Sequence, residues 1–168
     1  VIEAKNIFNT PYKKIDVLIH PKSYVHAIVQ FNNGISKIIV HDTTMKFPIF
    51  NTLYSNYSKN IYSNDLRLDI LNNLSFSTVN KKKFPLINIL KMMPAKYSLY
   101  ETVIVSANDY LVNSFLKGEK KFKDISKKIL KIIKLKELNK YKKIEPKNVK
   151  DIIKLDKLVR LKISSKSI

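Results

Sequence analysis

Three histidines are the residues in this chain best suited to chemistry: His20, His26 and His41. Imidazole changes charge near neutral pH and can move a proton or hold a metal. His20 and His26 share a strand face only if the strand runs unbroken through Pro21, and proline argues against that. A single histidine beside a strand is more often a satisfied structural residue than a catalyst. His41 is followed by Asp42, a candidate pair, but at a turn where such residues are usually solvated. Glu3 stands in no paired-carboxylate spacing. Other chemistries are excluded by composition. With no Cys there is no disulfide, no thiolate nucleophile and no Cys-based zinc site. Only Gly34 and Gly118 are glycines, so no Gly-rich loop can cradle a phosphate. There is no nucleophile-elbow serine and no Glu-x-x-His pair on the helices. Met92-Met93 reads as packing. Taken residue by residue, the chain holds no complete active site.

The elements that must position these residues fall into three stretches. In the first, roughly 1–50, Val1 to Phe8 reads as a helix end, broken by Asn9-Thr10-Pro11. Ile15 to His20 is a short apolar run. Tyr24 to Phe31 alternates, with Tyr24, His26, Ile28 and Gln30 on one face. Asn32-Asn33-Gly34 tolerates positive φ and makes a turn, and Ser36 to His41 returns. This predicts a β-hairpin beside at least one more strand. The second stretch, 51–82, is rich in Asn, Ser and Tyr and reads as a surface linker with a few apolar anchors. The third, 83–168, is helical. Pro85 suits a first helical position and Pro94 ends that short helix. Ser98 and Glu101 have capping-box spacing. Val103, Ala107, Tyr110, Leu111, Ser114 and Phe115 form one face, and Gly118 is a stop. Phe122, Ile125, Ile129, Ile132 and Ile133 continue the helical period. Glu145-Pro146 opens a last helix that turns Val149, Ile152, Ile153, Leu155, Leu158 and Val159 inward. The expectation is α+β: a hairpin-bearing end of an α/β domain, a linker, then a four-helix bundle.

The chain has 168 residues, 32 Lys and Arg against 13 Asp and Glu, and is 45% hydrophobic. That composition supports a packed core and is not that of a disordered chain. The +19 charge first suggests nucleic acid. Yet 30 of the basic residues are Lys and only Arg67 and Arg160 are Arg, beside 23 Ile and 16 Asn. Arg is the residue that reads phosphates and base edges bidentately. The skew fits an AT-rich gene with Lys as the default solvent-facing residue. The alternative is a basic helical module binding nucleic acid or another anionic surface through 117–168, where 19 basic residues face 6 acidic ones. No apolar run approaches the ~18 residues of a membrane span, and the start does not resemble a signal peptide. Val1 in place of Met leads us to expect a processed chain or a fragment.

Several segments together resemble 1-deoxy-D-xylulose 5-phosphate reductoisomerases. Val1-Ile2-Glu3-Ala4 and Phe8-Asn9 are similar to the family's V-I-E-A-x-x-L-F-N. Ile19-His20-Pro21, Ser23 and His26 follow its I-H-P-x-S-x-x-H, the most specific block. His41 to Ile49 stands where the family has G-x-P-D-M-R-x-P-I. Further echoes are Leu68-Asp69-Ile70 with Leu74-Ser75-Phe76, then Phe84-Pro85-Leu86, then Ile104 to Asp109, then Phe115 to Ile125. Departures are Thr43 and Thr44 for Pro and Asp, Lys46 for Arg, and Val105 for Asn.

The resemblance implies the end of a catalytic domain (1–50), a linker (51–82) and a C-terminal helical bundle (83–168). It implies isomerisation of 1-deoxy-D-xylulose 5-phosphate and its reduction by NADPH, with a Mg or Mn ion. The metal ligands and most cofactor contacts belong to family segments ahead of Val1, so none of the metal ligands is in this sequence. Carried over by position, His26 supports the active site, Met45 lines the cleft, and Glu3 lies one helical turn from a metal ligand. The family also implies a small-molecule substrate, a homodimer, no nucleic-acid or membrane partner, and a bacterial cytoplasm (an endosymbiont included) or a plastid stroma.

Overall fold

A computed structural model describes residues 1–54 and 59–165. Residues 55–58 of the expected linker, and 166–168, lie outside it. In chain order the elements are α1 (Ile2–Ile7), β1 (Leu18–Ile19), β2 (Val25–Gln30), β3 (Ser36–Val40), α2 (Lys46–Leu53), α3 (Leu68–Leu71), β4 (Ser77–Thr78), α4 (Tyr100–Leu116), α5 (Phe122–Ile132), α6 (Lys136–Asn139) and α7 (Val149–Ser165). Single-turn 3-10 segments lie at Tyr12–Lys14 and Lys140–Lys143, and a longer one at Pro85–Met92. The chain forms two compact units: Val1–Asp16 with Asn80–Ile168, and Val17–Val79. The three stretches follow sequence character, whereas these units follow contacts, which group the opening helix with the bundle.

The first unit is built on helical periodicity. Tyr100, Val103, Ala107 and Leu111 on α4 meet Ile125, Ile129 and Ile132 of α5, and Leu155, Val159 and Ile163 of α7, all buried in one cluster. Such i, i+3, i+4 spacing puts each set on one face. Tyr100 is completely buried, and its hydroxyl donates to the Ile133 carbonyl at 3.1 Å. Burial holds its phenol above the usual range. α4 ends at Gly118, whose φ of 77° only glycine adopts cheaply. There the Gly118 and Glu119 N–H groups donate back to Phe115 and Ser114 at 2.9 Å each. The Asp124 carboxylate accepts from the Lys121 N–H at 3.1 Å and opens α5. The last helix starts at Val149, later than Glu145-Pro146 suggests, because the Asn148 side chain caps it by accepting from the Asp151 N–H at 3.2 Å. Phe122 and Val149, expected inward, are 72% and 68% exposed. Each is the first residue of its helix, where the facing helix no longer covers it.

Ser98 and Glu101 do not form the expected capping box. The Glu101 side chain leaves its own helix end and reaches α1 and the turn after it. It is 4% exposed and takes the Lys5 ammonium at 2.9 Å, the Tyr12 hydroxyl at 2.7 Å and the Asn6 amide at 3.1 Å. Lys5 is also buried, its ammonium 5.0 Å from the Tyr97 ring centroid and 5.7 Å from that of Tyr12. A buried carboxylate survives when paired and hydrogen-bonded, and this one has three donors. Burial first, then the Glu101 carboxylate, push the Tyr12 hydroxyl well above its ordinary value.

The second unit holds two small sheets. β2 and β3 pair antiparallel, with Ile28 opposite Ile38 and Ala27 opposite Ile39. Gly34, at φ 85°, supplies the turn. Register shifts between Val25 and Ala27, so His26 is the extra residue of a β-bulge. β1 pairs antiparallel with β4, Leu18 opposite Thr78, which makes a strand of the expected linker's last residues. α2 was not foreseen. Its Pro48 lies in the first turn, where a missing N–H costs nothing.

Candidate functional site

The bulge and the strand end opposite it bring two histidines together. The His26 and His41 rings stack with centroids 3.6 Å apart and planes 4° apart. The His26 Nε2–H donates to the His41 carbonyl at 3.1 Å. His41 in turn donates from Nδ1 to the Asp42 carbonyl at 2.6 Å, and its ring leans on Phe47 of α2, 5.9 Å away. The Asp42 carboxylate accepts from the Asn64 amide at 2.9 Å. His41, Asp42, Phe47, Asn51 and Asn64 border an open groove of about 600 Å³ with Tyr24. Met45 stands at the N-terminus of α2, 67% exposed. It lines a neighbouring apolar groove of about 690 Å³ with Ile49, Phe50 and Leu53.

The other expected residues fall elsewhere. His20 donates from Nδ1 to the Ser75 carbonyl at 3.0 Å and packs on Phe76. It ties together the ends of the two strands of the smaller sheet, while its Nε2 is buried with no hydrogen-bond partner among the described residues. Glu3 lies exposed in the first turn of α1, in the other unit. Sequence reasoning missed the His41 stack because a turn residue next to Asp42 carries no pattern, and the bulge that turns His26 toward it leaves no periodic signal. It missed Lys5 with Glu101 because their pairing spans most of the chain.

Among the described residues, no three His, Asp or Glu side chains converge to hold a metal ion. The two glycines sit in a hairpin turn and a helix stop, so no backbone cradle for a dinucleotide phosphate is formed by them. The residues here therefore do not by themselves fit a metal or a nicotinamide cofactor. No helix among the described residues is long and apolar enough to cross a membrane.

The architecture is that of an α+β protein with a hairpin-bearing unit and a C-terminal helical bundle. Residues 41–162 match the model of the DXP reductoisomerase C-terminal domain. A 1-deoxy-D-xylulose 5-phosphate reductoisomerase of Pelagibacter ubique is 50% identical over all 168 residues, which cover 43% of that relative. One from Sulfurihydrogenibium is 36% identical over 86% of this chain and 39% of its own length. A crystal structure of the reductoisomerase with fosmidomycin and magnesium superposes with a TM-score of 0.79 at 25% identity, over 97% of this chain and 42% of that one. The Zymomonas mobilis enzyme in complex with NADPH shares the fold, with a TM-score of 0.77 at 24% identity over the same shares. The chain belongs to the 1-deoxy-D-xylulose 5-phosphate reductoisomerase family. It spans about two fifths of the length of the curated relatives it matches.

Proposed function

We propose that this chain is the C-terminal part of an enzyme that isomerises 1-deoxy-D-xylulose 5-phosphate and reduces the product with NADPH to 2-C-methyl-D-erythritol 4-phosphate. The observation that carries this is 50% identity to such an enzyme along the whole chain. Family structures with NADPH, and with fosmidomycin and magnesium, support the cofactor pair. In this reading the metal and most cofactor contacts come from the part of the enzyme this chain does not cover. The domain reading goes with it: 1–50 ends the catalytic domain, 51–82 links, and 83–168 forms the bundle.

The chain's own contribution is one wall of the cleft. His26 presents an imidazole whose Nε2–H is committed to a carbonyl; in the neutral ring this leaves Nδ1 to accept a proton or a hydrogen bond from substrate. Met45 offers a polarizable thioether surface against which a flat ring can pack. Glu3 adds negative charge on α1, where it supports a neighbouring metal ligand without binding the ion itself.

A homodimer fits the hairpin. Ile28, Val29, Phe31, Ile35, Ile38 and Ile39 are 41–55% exposed on the hairpin, whose two strands each keep an edge unpaired among the described residues. A two-stranded ribbon is marginal alone and gains stability by covering such surface. The bacterial relatives favour a bacterial cytoplasm over a plastid stroma. The Lys residues of 117–165 are exposed or half-buried, and with Arg160 the only Arg in that stretch a solvated surface is favoured over a nucleic-acid interface. The test is substrate-dependent NADPH oxidation by the complete protein that carries this chain. Turnover that fosmidomycin blocks supports the reading. A folded complete protein that leaves NADPH unoxidised with substrate and Mg or Mn present overturns it.

A further inference from the structure

We propose that His41 is a positioning residue for His26: it holds the bulged imidazole as the Nε2–H tautomer, with the Nδ1 lone pair presented to the cleft. This rests on the placement of His26 in the substrate cleft made above. Three observations converge on it. The bulge takes His26 out of the regular ladder between Val25 and Ala27, so strand pairing alone does not fix its ring. The His41 carbonyl, 3.1 Å from His26 Nε2, can only accept, which obliges that nitrogen to carry the proton. The His41 ring lies flat on the His26 ring, 3.6 Å between centroids and 4° between planes, which sets its rotation.

His41 is itself held from three sides. Its Nδ1 donates to the Asp42 carbonyl at 2.6 Å, its N–H donates to the Tyr24 carbonyl at 3.3 Å, and its ring rests on Phe47. The device has its own sequence signature. Where the family motif has glycine, this chain has His41, and only a ring at that position can stack. A second histidine's main-chain oxygen thus fixes the tautomer and its side chain fixes the plane, as an outer group does for a working histidine in other sites.

The test uses the complete protein with 15N-labelled histidine, the His26 resonances being assigned by their loss in His26→Gln. The expected result is a protonated Nε2 and a bare Nδ1 at His26 in the parent protein above the imidazole titration. His41→Ala keeps the carbonyl but removes the stack and the Nδ1 bond. The carbonyl selects the tautomer only while the ring is held against it, so loss of the stack should let the ring turn, mix the two tautomers and lower kcat about tenfold with little change in KM, since a ring displaced by less than an ångström loses alignment rather than binding. His41→Phe keeps a flat ring and should restore both the tautomer signature and most of kcat. A His26 that carries its proton on Nδ1, or one whose signature is the same in His41→Ala, overturns the proposal. If the tautomer shifts in His41→Ala while kcat stays at the parent value, His41 does position His26, and it is the placement of His26 in the cleft that fails.

Discussion

The two compact units differ in what they bury. In the first, α4, α5 and α7 close a continuous apolar core, and a carboxylate and an ammonium are buried as well, paired with each other. In the second, Tyr24 is the one residue among those described that is buried to the same degree, while the hairpin leaves six large apolar side chains open. Both units carry many large apolar residues, so their mere presence does not explain the contrast. Helix periodicity lets a segment cover its own apolar stripe with neighbouring helices. A short hairpin has two faces and two edges, and here the described residues of its unit leave its apolar side chains about half exposed. The first unit is organised for stability, the second to present surface, and the candidate site residues His26, His41 and Met45 lie in the second.

Substitutions can break this contrast from either side. The largest effect belongs to Glu101→Ala, which strands the buried Lys5 ammonium without a counter-charge. A loss of about 3–5 kcal/mol is expected by urea denaturation, with Glu101→Gln milder because its amide oxygen still accepts. Leu111→Ala opens a void among fully buried helices and should cost about 3 kcal/mol in the same measurement. Gly118→Ala meets no neighbouring atom, so its cost is the left-handed backbone alone, about 1 kcal/mol. Ile38→Thr, on the hairpin, should change the stability of an isolated subunit by no more than about 0.5 kcal/mol. In the homodimer it should raise the concentration needed for association, as sedimentation would show. A large stability loss in the subunit would mean that the hairpin is packed after all.

The smallest effect is a pH dependence at the α4–α7 contact. Burial alone would raise the Asp156 carboxyl, but hydrogen bonds from Ser106 and Arg160 outweigh it and hold it below its ordinary 3.8. A carboxyl lowered in the folded state adds stability above its unfolded value and loses that contribution as pH falls through the folded one. Acid denaturation of Asp156→Asn should therefore lack a small component below pH 3.8 that the parent shows. Arg160 also reaches Asp109 from the same guanidinium, so Arg160→Lys should remove much of that component.

What the sequence revealed follows the same division. The helices of the bundle were legible because their core positions repeat every three or four residues, and Gly118 marks a stop that only glycine makes cheaply. The hairpin was legible from its alternation and its Asn-Asn-Gly turn. The short β4 strand and α2 were not, since neither is long enough to show a period, and β4 forms only through its pairing with β1. The block around His20 and His26 pointed to the hairpin that carries the candidate site. Pattern alone did not separate the two roles: His20 ties down Ser75, while His26 sits at a bulge under a second ring. His41 and the Lys5–Glu101 pair depend on contacts between residues far apart in the chain, and no local pattern records those.

The most direct test is hydrogen exchange, read by mass spectrometry, of the complete protein with and without NADPH and fosmidomycin. The account expects amides of residues 20–54 to slow when the ligands bind, above all around His26, His41 and Met45, while the protected amides of α4, α5 and α7 stay as they are. Unchanged exchange through 20–54, with the ligands bound, would contradict the assignment of the cleft wall to this unit.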